Sequence, residues 1–169
     1  AHLAHDMADA GLNICTGLAY GIDEAAQMAR PDRAIAVLGQ GWGAPMSRRL
    51  KLCISKILDA GGVVITEYTP NTHATRFTFP QRNRIISGVS LATIVVEASE
   101  RSGSQITARQ ALEQGRDVLA VPGRPNDVKS AGCNRLIAQG AALIQNPKDA
   151  LDFIGYSIRP KSNVTLSCP

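Results

Sequence analysis

The chain has 169 residues, 44% hydrophobic and 19% charged, which is enough apolar material for a packed core and favours one domain over two or a disordered chain. Its formal net charge of +4 suits an anionic partner without separating DNA, RNA, nucleotide and membrane surface. No eighteen-residue apolar run or signal-peptide pattern occurs, and Cys15, Cys53, Cys133 and Cys168 are dispersed with no CxxC pair or histidine cluster. These features point to a cytoplasmic protein and argue against a membrane span, a metal site and a disulfide framework.

In chain order, Ala1 to Ala10 reads as a helix closed by Gly11. Short apolar runs then recur: LNICTG (12–17), AIAVLG (34–39), VVIT (63–66), TIVVEA (93–98), DVLAVPG (117–123) and AALI (141–144). Between them lie helical patterns at 21–29, 47–59, 80–89, 104–114, 130–139 and 147–153. Strands alternating with crossover helices predict an α/β fold: a Rossmann-like, mostly parallel sheet covered by helices on both faces. A domain that opens on a helix also suggests that an earlier strand is missing from the core, read as 1–154. The polar, proline-containing stretch 155–169 reads as a tail or linker. Cys15, inside the first strand pattern, is expected to be a small buried hydrophobe.

Ligands of open α/β sheets bind beyond the carboxyl ends of the strands, so the residues that follow each strand carry the functional information. After the first strand, TGLAYGID places Gly17 and Gly21 where backbone amides can approach an anion. The same glycines also fit a tight turn, and Asp23 either caps those amides or repels a phosphate. LGQGWG, with Gly39, Gly41 and Gly43, lacks the continuation and the later ribose-binding acid of a dinucleotide fingerprint, and no GxxxxGK[ST] loop is present. Trp42 is a candidate for base stacking or for local packing.

From Tyr68 to Val96 there are no acidic residues, whereas Arg76, Arg82 and Arg84 all fall there, a formal +3 from three arginines. Arginine matches phosphate oxygens through planar multi-donor bonding, so polyanion binding is the first hypothesis and a solvated charged face the plain one. Ser102 and Ser104 flank Gly103 at a helix start, where hydroxyls and free amides can share one phosphate. A helix cap at Ser104 is the competing reading.

The ordered motifs CTGLAYGID, AIAVLGQG, ITEY, FTFPQRNRIISG, VVEASERSGSQITA, GRDVLAVPG and GCNRLIAQGAALI resemble the DNA-processing family called DprA or Smf, from about Ile14 to Asp152. The resemblance implies a Rossmann-like domain that binds single-stranded DNA, protects incoming DNA and helps load the RecA recombinase in natural transformation. It also implies a homodimer and binding without catalytic turnover, with no cofactor or metal. The DNA/phosphate site it implies comprises Gly17, Tyr20, Gly21, Arg76, Arg82, Asn83, Arg84, Ser102, Gly103 and Ser104; the short side chain of Asn83 suits it to bracing the loop or its neighbouring arginines rather than reading a base. In this sequence Tyr20 stands where the family has a basic pocket residue, Gln27 where it has a histidine and Ala44 where it has a tyrosine. The family's opening GSR turn and a C-terminal winged helix are not seen.

Two other functions compete. A nucleoside monophosphate phosphoribohydrolase would need a PGGxGTxxE signature, and PGRPND at 122–127 lacks its glycine run and glutamate, although Glu67 and Glu97 follow strands and are available as acid or base. An interaction protein without DNA affinity is the other, motivated by Tyr20.

Overall fold

The computed structural model describes residues 1–155. The region read as a tail or linker, beyond Gly155, and Cys168 lie outside the described residues. Six parallel strands alternate with seven α-helices: α1 (His2–Asp9), β1 (Ile14–Thr16), α2 (Ile22–Ala29), β2 (Ala34–Val37), α3 (Arg48–Asp59), β3 (Val63–Ile65), α4 (Thr78–Val89), β4 (Ala92–Val95), α5 (Gly103–Glu113), β5 (Asp117–Ala120), α6 (Val128–Ala138), β6 (Ala142–Leu143) and α7 (Pro147–Phe153). The α/β class and the parallel strands agree with the sequence reading. A 3₁₀ turn at Pro31–Arg33, which apolar periodicity does not signal, leads into β2.

The strands form two three-stranded parallel sheets, β1-β2-β3 and β4-β5-β6, rather than one continuous ladder. β1 and β4 are the terminal strands of their sheets, and no backbone hydrogen bond joins them among the described residues. Both nevertheless belong to one fold, since Ile14 of β1 and Ala92 and Ile94 of β4 pack on the same apolar cluster.

Strand periodicity explains how helices come to cover both faces. Along β5, Val118 and Ala120 join Ala108 and Ala111 of α5 and Cys133 and Leu136 of α6. Leu119 points the other way, into a cluster with Met7 of α1 and Ala150 and Leu151 of α7. Side chains buried on both faces account for the nearly continuous apolar runs that mark these strands in the sequence.

Helix ends follow local chemistry. Ser47 caps α3 by accepting from the Leu50 amide, Asp127 caps α6 by accepting from Lys129, and Asn146 with Asp149 forms a reciprocal capping box on α7. α4 starts at Thr78, two residues before the helix read from the sequence. Thr75 and Thr78 organise this start, with the Thr78 hydroxyl accepting from the Thr75 amide at 2.9 Å.

Candidate functional site

The carboxyl ends of β1, β2 and β4 open into a cavity of about 1020 Å³. Its wall draws on the β1–α2 turn, the starts of α3 and α5, α4 and β4, so it extends between the two sheets. Gly17, Tyr20, Gly21, Arg82, Asn83, Ser102, Gly103 and Ser104 all line it. Arg76 and Arg84 do not. Arg76 is exposed with its guanidinium 4.8 Å from the Phe77 ring centroid, and Arg84 is ion-paired with Glu67 on the surface.

Arg82 is the clearest departure from an exposed phosphate ligand, because it is only 5% exposed. Its Nη1 donates to the Gly17 carbonyl at 3.1 Å and to the Val37 carbonyl, and its Nε donates to the Asn83 side-chain oxygen at 3.2 Å. One guanidinium thereby ties together the ends of β1 and β2 and the start of α4. Burial pushes its pKa down, partly answered by Asp23, and the group stays cationic. Asn83 braces the neighbouring arginine, as the sequence suggested for it. A Cβ at Gly17 would stand 2.3 Å from the Arg82 Nη2, which gives this glycine a packing reason beyond turn geometry.

The Gly17, Leu18 and Ala19 amides of the β1–α2 turn are occupied within the turn. Asp23 Oδ2 accepts from Gly17 at 3.2 Å and from Ala19 at 3.4 Å, so Asp23 caps the first part of the turn, while the α2 start at Gly21 has no side-chain cap. Burial raises the Asp23 carboxyl above 3.8, against the lowering effect of the Ala19 and Gly17 amides and of Arg82. Leu18 adopts φ 53° and Gly21 φ 105° in this turn, so Gly21 has a conformational role at the start of α2.

At α5 the cap position is Ser102 rather than Ser104. Its hydroxyl is buried and makes no cap bond, and it has no hydrogen-bond partner among the described residues. Gly103 is exposed, with open space where a Cβ would stand. The unsatisfied amides of the first α5 turn, an unpartnered hydroxyl and clear access make this the part of the cavity best suited to an anion. Lys129, at the start of α6, lines the same cavity, and its carbonyl accepts from Ala98 at 2.8 Å, which holds it near the chain that leads to α5. Sequence reading missed Lys129 because no local pattern ties it to SGS. The wall also carries Glu97.

Arg49, on the first turn of α3, is the other cavity residue the sequence did not single out. Its guanidinium lies 4.3 Å from the Tyr20 ring centroid, and its Nε donates to the Glu24 carboxylate at 2.8 Å. Tyr20 is 80% exposed, its ring lies against Arg49, and it lines the same cavity as the SGS turn. Gln27, fully buried, donates to the Ile35 carbonyl at 2.7 Å and more weakly to that of Ile14, so it is a tie between β2 and β1.

Other residues singled out from the sequence fall as follows. Cys15, expected to be a small buried hydrophobe, is half-buried at the cavity wall, with its thiol pushed up to about 11 by desolvation. In LGQGWG, Gly41 serves close backbone approach, since a Cβ there would meet the Thr69 carbonyl oxygen at 1.9 Å, whereas Gly39 makes room for the Phe79 ring. Trp42 is 48% exposed and does not line the cavity. Glu67 is engaged by Arg84.

Comparison with known proteins adds an independent line of observation. A family model described as DNA recombination-mediator protein A matches residues 1–155. The chain is 41% identical over 155 residues to protein Smf of Escherichia coli, covering 90% of this chain and 41% of that protein. It is 43% identical over 143 residues to DNA processing protein DprA of Streptococcus pneumoniae, covering 83% and 50% respectively. The chain thus spans about half or less of these two relatives. Among solved structures, it resembles the X-ray structure of DprA from Streptococcus pneumoniae with a TM-score of 0.76 at 40% identity, over 89% of this chain and 52% of that one. It also resembles DprA from Helicobacter pylori, a structure described as giving insight into a unique single-stranded DNA binding mode. There the TM-score is 0.82 at 26% identity, over 92% of this chain and 72% of that one.

Proposed function

The chain belongs to the DNA recombination-mediator protein A family, and we propose that its cavity binds single-stranded DNA, in a mediator that protects incoming DNA and assists RecA loading during natural transformation. The observation that carries this is the start of α5. There an unpartnered buried hydroxyl at Ser102, an open Gly103 and free helix amides face a cavity shared with Lys129. Those groups match a phosphate of the backbone, while Arg82, Asn83 and Gly17 hold the wall rigid behind it. Arg76 and Arg84, surface cations outside the cavity lining, would take phosphates farther along the strand, with Arg84 exchanging Glu67 for phosphate.

The activity is binding rather than turnover, and the protein acts in the cytoplasm as a homodimer. Among the described residues no helix is long and apolar enough to cross a membrane. Titration of fluorescent single-stranded DNA across a salt series, with duplex DNA and nucleotides as competitors, tests the reading. Micromolar or tighter single-strand binding that weakens with salt supports it, and preference for a free nucleotide would favour a nucleotide-processing enzyme instead.

The core is also proposed to accept one further strand, parallel to and between β1 and β4. Both are terminal strands, they contribute to one apolar cluster, and Cys15, Ala92 and Ile94 line the part of the cavity next to them, which the strand would fill while DNA keeps to the mouth at the carboxyl ends. Fusing a short β-branched segment and a turn ahead of α1 should raise the urea midpoint and shield Cys15 from alkylation. If neither changes, the slot is not a strand site.

A further inference from the structure

We propose that Tyr20, held by Arg49 and Glu24, is a stacking platform for an unpaired base, an inference that rests on the single-strand DNA reading above. Three elements converge to build it. Tyr20 sits in the β1–α2 turn just before α2, Glu24 on the first turn of α2, and Arg49 on the first turn of α3. The Arg49 guanidinium covers one side of the ring at 4.3 Å from its centroid, while 80% of Tyr20 remains exposed, which leaves the opposite side open to a ligand.

Charge decides which part of a nucleotide such a surface takes. Arg49 Nε donates to both Glu24 oxygens, at 3.0 and 2.8 Å, and this bond holds the Glu24 carboxyl below its ordinary pKa. Glu24 already engages the Arg49 guanidinium and is also acted on by Lys56, so Arg49 is not a free cation waiting for a phosphate. The free ring face is instead a flat, polarisable surface suited to a base. Arg49 acts as a positioning residue, since a ring braced on one side loses less freedom when a base stacks on the other.

In a duplex the base faces are buried against their neighbours, so this platform can be reached only by a strand whose bases are free. Tyr20 and the Ser102–Gly103–Ser104 turn line one cavity, so a base and a backbone phosphate of the same strand can be held together. The platform thus supplies the preference for single strands, while the α5 start and Lys129 supply the salt-dependent part of the affinity.

The experiment compares wild type, Y20A, Y20F and R49Q for binding of a fluorescent oligothymidine and a hairpin duplex across a salt series, with thermal melting to check the fold. Y20A is expected to weaken oligothymidine binding by roughly five- to a hundredfold, with an unchanged slope of log affinity against log salt and unchanged duplex binding. Y20F should bind as wild type, and R49Q should fall between, again with no change of slope. A bromodeoxyuridine oligonucleotide should photo-crosslink to the peptide that carries Tyr20. If Y20A binds as tightly as wild type, or if R49Q lowers the slope by about one, the platform is overturned and Arg49 is a phosphate ligand or a bystander. A wild-type protein that binds no single-stranded DNA overturns the functional reading and the platform with it. Wild-type binding with an indifferent Y20A overturns the platform alone.

Discussion

The guanidinium of Arg82 donates to the carbonyl of Gly17, a residue 65 positions away, at 3.1 Å, and in doing so makes an arginine of α4 part of the wall beneath the β1–α2 turn. It also gives Gly17 a packing role, since a Cβ there would stand where the guanidinium lies and would displace it.

R82A should therefore cost stability before it costs binding. Removing the cation leaves the Gly17 and Val37 carbonyls without their donor and Asp23 without its counter-charge, a loss of about 2 to 4 kcal/mol by urea unfolding. G17A should lose about 1 to 3 kcal/mol through displacement of the same group. An R82A protein with wild-type stability and a salt slope lowered by one would show instead that Arg82 reaches phosphate.

At α5 the reverse is expected. Gly103 faces open space, so G103V should fold normally while its branched side chain blocks the amides, weakening single-strand DNA binding at least tenfold. K129Q should lower the slope of log affinity against log salt by about one, as one lost phosphate contact does. Equilibrium titration with urea melts in parallel separates these from misfolding, and full binding by G103V would exclude the α5 start from the site.

Asp23 makes stability depend on pH with a definite sign. Its folded pKa is raised above 3.8, chiefly by burial, so around that pH the folded protein holds more protons than the unfolded chain. Its contribution is fully present below about 3.8 and is lost as pH rises through the higher folded value. D23N keeps an oxygen to accept from Gly17 and Ala19 and should remove this part of the decline. Urea midpoints from pH 3 to 7 for both proteins test this. Parallel curves would place the titration elsewhere.

Gln27 is fully buried, and its amide donates to carbonyls of both β1 and β2. Q27L is predicted to destabilise by about 1 to 3 kcal/mol, because the Ile35 carbonyl is left without that donor, while the salt slope for DNA stays at its wild-type value. A loss of DNA affinity at wild-type stability would move Gln27 from the scaffold to the site.

Much of this protein is written locally. Apolar runs such as DVLA and TIV, spaced by helix-period segments, specify parallel strands and crossover helices, because burial on both faces leaves the same mark wherever the strand sits. The SGS turn was legible for the same reason: a serine and a glycine before a helix have few local conformations, although which serine caps depended on where α5 begins. What the arginines do was not legible. Arg82 and Arg84 are two residues apart on α4, yet one is buried on backbone carbonyls of β1 and β2 and the other pairs with Glu67 at the surface, because helix periodicity turns them to different sides. Nor does any sequence pattern bring Arg49 to Tyr20 or Lys129 to the α5 cavity. Those meetings depend on how α2 and α3 pack and on where the separate sheets end, and side-chain chemistry acting across such distances is decided only when the tertiary fold sets the neighbours.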